Sequence, residues 1–230
     1  MTIDLNVDLG EGGPHDPELT ALASSVNIAC GGHTGDPTSM QTAITLANQH
    51  HTAIGAHPSY YDHPHFGRRE LTLSPAELIN TLTQQLTTLK SLTKIHHLKL
   101  HGALYNQAHR DPVLARTLID AITPLLPNTL IYTLPHGALF HAAQAAGHTP
   151  VAEGFLDRTY QPDGTLTPRS QPHALITDPR QAVTQALQLA HNPTIQTLCI
   201  HGDSQEALAL LTKVRQTLLA EGFTIHAPGH

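Results

Sequence analysis

Short apolar runs, each closing on a small or ionisable residue, alternate along the chain with longer amphipathic segments. Ile3 to Asp8 alternates apolar and polar positions and stops at Gly10. Val26 to Cys30, Thr52 to Ala56, Leu98 to His101, Thr129 to Thr133, Val151 to Phe155 and Thr197 to His201 follow it. Runs this short, buried on both faces, predict seven strands of a parallel sheet.

The segments between them carry legible helix starts. Ser74-Pro75-Ala76-Glu77 offers an N-cap, a proline at the first helical position and a glutamate that can complete a capping box. Asp36-Pro37, Asp111-Pro112 and Asp178-Pro179 repeat the cap-then-proline pattern, and Asp203-Ser204-Gln205-Glu206 predicts a further capping box. The last helix is predicted to bury the face of Leu208, Leu211, Val214, Leu218 and Leu219 and to stop near Gly222. No linker rich in Gly, Pro or Ser divides the chain, and no repeat of fixed period is present. The expectation is an α/β fold in one domain spanning residues 1–230. About seven βα units fit a distorted (β/α) TIM-like barrel, complete or nearly so, with a doubly wound open sheet as the other arrangement that periodicity allows.

Composition narrows the partners. With 40% hydrophobic and 13% charged residues, the chain has enough apolar surface for a core and none of the character of a disordered tail. A net charge of −6 gives no basic surplus for nucleic acid. No apolar run approaches the roughly 20 residues needed to cross a bilayer, and the Met1-Thr-Ile-Asp start lacks the pattern of a signal peptide, so the expected location is the cytoplasm. Cys30 and Cys199 are then reduced core thiols. The 19 histidines reflect in part a compositional bias, so His50, His51, His96, His97, His141 and His230, which have no chemical company along the sequence, carry no functional weight.

The candidate chemistry gathers where the apolar runs end. Lys99-Leu100-His101-Gly102 breaks a buried strand into what reads as a polar turn, with Tyr105 and Asn106 just beyond. Asp8-Leu9-Gly10-Glu11, Cys30-Gly31-Gly32-His33, Ala56-His57-Pro58 and Ile200-His201-Gly202-Asp203 end other runs in the same manner. Polar residues at one end of successive strands are how an α/β fold builds a site. Asp8 and Glu11 can share a cation, or one can serve as a general acid or base. The glycines before His33 let backbone approach a ligand. Arg68-Arg69 and the long loop from Asp157 to Ser170, with Arg158 and Arg169, offer contacts for an anion, and that loop is long enough for a lid. Asp8, His33, His57, His101 and His201 make a ligand menu for a divalent metal, without an HxxxH or HExxH helix pattern to support it. There is no GxxxxGK[ST], GxGxxG or GxSxG.

Read together, these segments closely resemble the LamB/YcsF family. The resemblance rests on Asp4-Leu-Asn-Val-Asp-Leu-Gly-Glu11, Asn27-Ile-Ala-Cys-Gly-Gly-His33 with Gly35-Asp-Pro37, and Ile54-Gly-Ala-His-Pro-Ser-Tyr60. It continues through Phe66-Gly-Arg-Arg69, Lys99-Leu-His-Gly-Ala-Leu-Tyr-Asn106, Asp157-Arg158, Tyr160-Gln161, Asp163-Gly164, Pro168-Arg-Ser170 and Cys199-Ile-His-Gly-Asp203, in family order over nearly the whole chain. Gly32, Thr34 and Leu100 depart from the expected Phe, Ala and Pro, and none of these departures removes an ionisable group.

The resemblance implies a distorted barrel of the glycoside hydrolase/deacetylase superfamily. It also implies ATP-dependent opening of 5-oxo-L-proline to L-glutamate in a complex with 5-oxoprolinase subunits B and C. A lactam is a poor electrophile, and phosphorylating its carbonyl oxygen would convert that oxygen into a leaving group. With no phosphate loop in this chain, ATP is expected to be bound mainly by the partners. Within that frame Asp8 or Glu11, with His57 or His101, would activate water, and Lys99 would stabilise the oxyanion. The expected substrate contacts are His33, Arg68, Arg69, Tyr105, Asn106, Arg158, Arg169 and His201, with Arg158 or Arg169 on the carboxylate. A divalent metal and a homo-oligomer are both compatible with the sequence. The rival readings are a stand-alone metal-dependent amide or deacetylase-type hydrolase, and a non-catalytic module that binds a small acid and regulates its partners.

Overall fold

The computed structural model describes residues 1–230. Its strands are β1 (Thr2–Leu9), β2 (Ser25–Ala29), β3 (Ala53–His57), β4 (His97–Lys99), β5 (Leu130–Thr133), β6 (Thr149–Phe155), β7 (Thr197–Ile200) and β8 (Thr224–Ile225). Between them run α1 (Asp16–Leu22), α2 (Pro37–Gln49), α3 (Pro75–Leu92), α4 (Gly102–Arg110), α5 (Pro112–Ile122), α6 (Ala138–Ala145), α7 (Pro179–Ala190) and α8 (Ala207–Ala220), with a 3-10 turn at His63–His65. Each of β1 to β7 lies parallel to the next, and β1 pairs with both β2 and β7. The sheet therefore closes on itself as a seven-stranded barrel. The open doubly wound arrangement is excluded by that closure. The two-residue β8 adds only a stub beside Thr2 and Ile3 at the start of β1.

The outer layer follows from strand alternation. Leu5, Val7 and Leu9 point from β1 toward the helices, and their equivalents on the other strands join helix residues such as Leu82, Leu86, Leu211 and Val214 in two apolar clusters. The inner face is different. Asp4, Asn6 and Asp8 of β1 meet Ser25 and Asn27 of β2, His97 and Lys99 of β4, Glu153 of β6, and Thr197 and Cys199 of β7 across the barrel axis. The strands are buried on both faces, as their sequences predict, but the inward face is hydrogen-bonded and polar.

Four of the predicted helix starts form as read. Asp36 and Ser74 complete capping boxes with Ser39 and Glu77. Asp111 accepts from the amides of Val113 and Leu114, and Asp178 from that of Arg180. Each such cap contributes about 1 kcal/mol. Asp203 does not cap α8, which begins at Ala207 with no side-chain cap at Glu206. Its carboxylate is taken instead by Arg68 at 2.5 Å. Gly222 (φ +83°) ends α8 as expected. No helix is long and apolar enough to cross a membrane.

Candidate active site

The carboxyl ends of the strands converge on one cluster. Asp8 is the last inward-facing residue of β1, and Gly10, with φ +74°, turns the chain so that Glu11 comes back beside it. His57 ends β3, Lys99 ends β4, and His101 is the residue on which α4 begins. The predicted polar turn after Lys99 is absent, because Gly102 opens α4 at once. That saves a loop and leaves β4 and α4 joined at His101 directly over the barrel. The joint works because Gly102 and Gly67 both take positive φ and their backbones touch. A Cβ on Gly102 would lie 2.5 Å from the Gly67 carbonyl oxygen, and one on Gly67 would lie 2.8 Å from the His33 Cβ.

Lys99 is fully buried, its ammonium 2.9 Å from Asp8 Oδ1, 3.0 Å from Glu153 Oε1, 3.2 Å from Asn6 Oδ1 and 2.8 Å from Cys199 Sγ. Burial pulls its pKa down, but Asp8 first, with Glu153 and the hydrogen bond to Cys199 Sγ, outweighs that and holds the ammonium well above its ordinary range. Burial likewise pushes Asp8 up, and His57 and Lys99 overcome it, keeping the carboxyl well below the usual range. Burial pushes Cys199 well above an ordinary thiol. Cys199 is therefore a neutral neighbour of the lysine, and Cys30 is a buried thiol pushed up by burial to about 12.

The histidines form a directed chain. His57 Nδ1 donates to the Lys99 carbonyl at 2.8 Å, and His101 Nε2 donates to the Phe66 carbonyl at 2.9 Å. The atoms left facing each other, His57 Nε2 and His101 Nδ1, are 3.0 Å apart. A shared proton belongs on His57, which also lies 3.4 Å from Asp8 Oδ2. Burial alone would lower His57, but Asp8 and Glu11 raise it, whereas burial lowers His101 against the pull of Glu11. His33 stacks flat on His101 at 3.6 Å and donates through Nε2 to Glu11 Oε1 at 2.9 Å. Burial, then His101, brings His33 down to about 3, so it stays neutral. Asp8 Oδ2 and Glu11 Oε2 are buried with no hydrogen-bond partner. Oxygens, one on each of two ionised carboxylates, thus remain unsatisfied in the same place.

Above this floor opens a cavity of about 590 Å³, reaching Asp8, His57, Lys99 and His101 at its base. Arg68, Asn106, Arg158, Arg169 and His201 face it, and so does Tyr105. The Tyr105 hydroxyl, however, donates to Glu153 Oε2 at 2.8 Å, so its polar tip supports the floor. His201 Nδ1 is held 2.8 Å from Asp157 Oδ2, leaving Nε2 directed away from that contact. The segment from Asp157 to Ser170 folds on itself through the pairing of Tyr160 with Leu166, is pinned to the residues that follow it by the pairing of Arg158 with Leu175, and forms one wall of the cavity. Two expected contacts lie elsewhere. Arg69 points out of the cavity toward Asp62, with its side chain 58% exposed, because successive residues of the turn diverge. His33 sits behind His101 and touches Glu11 and Ser59, not the open space.

Other residues belong to the site that the sequence reading passes over. Glu153 accepts from Lys99, Tyr105 and Asn6. Asp157 orients His201 through both side chain and backbone. His97, set aside as compositional, is buried inside the barrel with Nε2 2.8 Å from Asn27 Oδ1, and Asn27 donates in turn to Asp8. Gly32, where a larger residue is expected, has no room for one: a Cβ there would lie 2.5 Å from Gln85 Oε1 and closer still to Ser59 Oγ.

Sequence and structure comparisons agree on the kinship of this arrangement. The model of the LamB/YcsF family matches residues 3–230. A protein of Limosilactobacillus fermentum, named as the A subunit of 5-oxoprolinase, is 41% identical over 98% of each chain. The crystal structure of a lactam utilization protein from Thermus thermophilus superimposes with a TM-score of 0.91 at 36% identity, covering 99% of this chain and 100% of that one. The catalytic domain of a peptidoglycan N-acetylglucosamine deacetylase from Eubacterium rectale shares the barrel fold alone, with a TM-score of 0.55 at 13% identity over 98% of this chain and 87% of that one.

Proposed function

The chain belongs to the LamB/YcsF family, and from that membership we propose that it opens a lactam. It acts as the A subunit of a 5-oxoprolinase, hydrolysing 5-oxo-L-proline to L-glutamate as a single barrel domain in the cytoplasm. Subunits B and C are its partners and supply the ATP-dependent step, since this chain carries no phosphate loop. The observation that carries the reading is the floor of the cavity: an ionised Asp8 with one buried, unpartnered oxygen, set between the His57 imidazole and the Lys99 ammonium.

Each of these groups has a job that its surroundings favour. Asp8 Oδ2 is the free acceptor for a hydrogen bond from attacking water, which it orients toward the carbonyl. His57, held protonated by Asp8, is the donor for the ring nitrogen as the C–N bond breaks. Lys99 has its three N–H bonds committed to Asp8, Glu153 and either Asn6 or Cys199, so it acts as a fixed positive charge beneath the reacting carbonyl, not as a mobile donor. The cavity arginines supply positive charge for an acidic substrate.

A divalent metal also fits these residues. Asp8, Glu11 and His57 offer ligand atoms within 4.8 Å of one another, and Asp8 and Glu11 each keep an oxygen with no other partner. Those three residues would hold the ion, which when bound would polarise a carbonyl or lower the pKa of a water. That cluster favours, as the second reading, a metal-dependent hydrolase that works without partners.

The test is glutamate release from 5-oxoproline by the chain alone and with subunits B and C, each with and without ATP and with and without a chelator. Glutamate only with partners and ATP supports the first reading. Turnover by the chain alone, abolished by chelator, replaces it with the second. No turnover under any condition leaves a binding module.

A further inference from the structure

Four positions stand in one row across the barrel: Asp8 of β1 pairs with Asn27 of β2, Asn27 with Gly55 of β3, and Gly55 with His97 of β4. The third place has no side chain, and the reason is space. Gly55 does not take a positive φ, so its backbone conformation does not call for glycine. A Cβ there would lie 2.5 Å from two carbons of the His97 ring and closer still to its Nε2. The His97 ring fills that gap, stacks on Tyr132 at 4.0 Å, and reaches past β3 to bond Asn27 at 2.8 Å.

The direction of that bond is fixed from the far end. Lys99 can only donate, so Asn6 turns its amide oxygen to it, at 3.2 Å. Asn27 Nδ2 lies 2.8 Å from the same Asn6 oxygen and 2.9 Å from Asp8 Oδ1, and both of its hydrogens are spent there. Asn27 Oδ1 is then an acceptor, and His97 Nε2 carries the proton that reaches it. Burial keeps His97 well below its ordinary pKa, so the ring holds that one proton and Nδ1 keeps a lone pair. His96 Nδ1, 3.1 Å away, donates to it. Every donor from His96 to Asn27 thus points along the row toward Asp8 Oδ1. With Lys99 on that same oxygen at 2.9 Å, the carboxylate plane is held, and Oδ2 is the atom left without a partner.

We infer that His97 is a positioning residue: by donating from Nε2 it holds the Asn27 amide with its nitrogen toward Asp8, and so decides which Asp8 oxygen is free to orient the attacking water. The inference rests on the lactam-opening reading above. An inverted Asn27 amide would set its oxygen against Asp8 Oδ1 and its NH2 group against the His97 N–H. The carboxylate would then turn, and its second oxygen would leave the line of attack. Nothing passes from His97 to the substrate, so its whole effect runs through Asn27.

Two measurements test this. The first reads the ring itself. In the nitrogen-15 NMR spectrum of the full chain, the His97 signals, identified by their loss in His97→Gln, are expected to show a protonated Nε2 and a bare Nδ1. The opposite tautomer, or a ring protonated on both nitrogens at neutral pH, overturns the proposal.

The second is glutamate formation by the reconstituted complex. His97→Leu removes the donor and keeps the bulk. It is expected to lower kcat about tenfold or more while KM for 5-oxoproline stays within about twofold. His97→Gln, whose amide nitrogen falls near the place of Nε2, is expected to restore most of the rate. Asn27→Ala removes the link and leaves His97 in place, so it carries the test on its own should His97→Leu not fold; a comparable loss, again in kcat alone, is expected. In the double variant the two losses are expected not to multiply. Full kcat in His97→Leu or Asn27→Ala, a His97→Gln no better than His97→Leu, or losses that multiply would each overturn the positioning role alone. A wild-type complex that makes no glutamate overturns the lactam reading, and the role in water attack with it.

Discussion

Asp4 and Asp8 stand on the same face of the same strand, and both are buried. Their surroundings make them opposites. Asp4 accepts from Ser24 at 2.6 Å, from Ser25 at 2.7 Å and from Thr197 at 2.6 Å, with no cation nearby, and burial raises its pKa despite those hydroxyls. Asp8 accepts from Lys99 and Asn27 through one oxygen and leaves the other without a hydrogen bond. At the closed end of the barrel a carboxyl is saturated by neutral donors and serves as a structural cross-link. At the open end it is ionised by buried cations and kept incomplete. The difference between scaffold and chemistry in this molecule is therefore one of satisfaction, not of residue type or depth.

The strongest way to break that contrast is to neutralise each carboxyl in turn. Asp8→Asn is expected to lower glutamate formation by the reconstituted complex about 100-fold or more, while the far-ultraviolet circular dichroism is unchanged. Asp4→Asn is expected to keep most of the activity. If the two variants lost activity equally, the two ends of the barrel would not differ as described.

Next in size is Lys99→Met, which leaves Asp8 and Glu153 facing each other without a cation inside the barrel. A loss of about 3–5 kcal/mol in urea unfolding is expected. Asp4→Asn, which disturbs only hydrogen bonds from neutral hydroxyls, should cost about 1–3 kcal/mol in the same assay. A smaller loss for Lys99→Met than for Asp4→Asn would mean that the ammonium is not what holds the upper layer together.

The smallest expected effect is on pH dependence, and it sharpens the comparison through the histidines. Burial first, then neighbouring histidines for His33 and His97, keeps His33, His97 and His101 below their ordinary pKa. In the unfolded chain they take up protons below about pH 6.5, which the folded protein does not, so stability falls as pH drops through that value. His57 runs the other way: its raised pKa contributes stability that is complete below about pH 6.5 and lost as pH rises through the raised value. Burial lowers His96, His109 and His148 in the same direction as the first three, so with six groups against one the melting temperature at pH 5 is expected to lie a few degrees below that at pH 7. A higher one would show that the His57–Asp8 pair dominates the interior.

The strand ends were legible because several of them announce themselves, each closing an apolar run on a histidine, lysine or carboxylate next to a glycine or proline. Asp8, His57, Lys99 and His101 come together for that reason. Glu153 gives no such signal. It is one polar residue within an apolar run, where the linear pattern does not say which face carries the barrel axis. His97 was hidden by the abundance of its own residue type, and only the closed sheet shows it bonded to Asn27. Asp203 obeys the local rule for a helix cap and loses to a distant partner, Arg68. Arg68 and Arg69 are equivalent in sequence, and only the path of the turn sends one inward and the other to Asp62. What local pattern could not give was the pairing of groups far apart along the chain.

The contact of Gly67 with Gly102 gives the site an unusual vulnerability. Most joints between elements are held by side chains, which mutation can trim and neighbours can partly refill. Here the β3–α3 loop rests on the first turn of α4 with no side chain between them, the Ala103 amide reaching the Gly67 carbonyl at 2.9 Å. There is nothing to trim. Such a seam can be harmed only by addition, and a single methyl group at position 102 would act as a wedge, lifting the loop that delivers both Phe66, on which His101 leans, and Arg68 at the cavity mouth. The most inert atoms in the region thereby set the tolerance to which the reactive ones are placed.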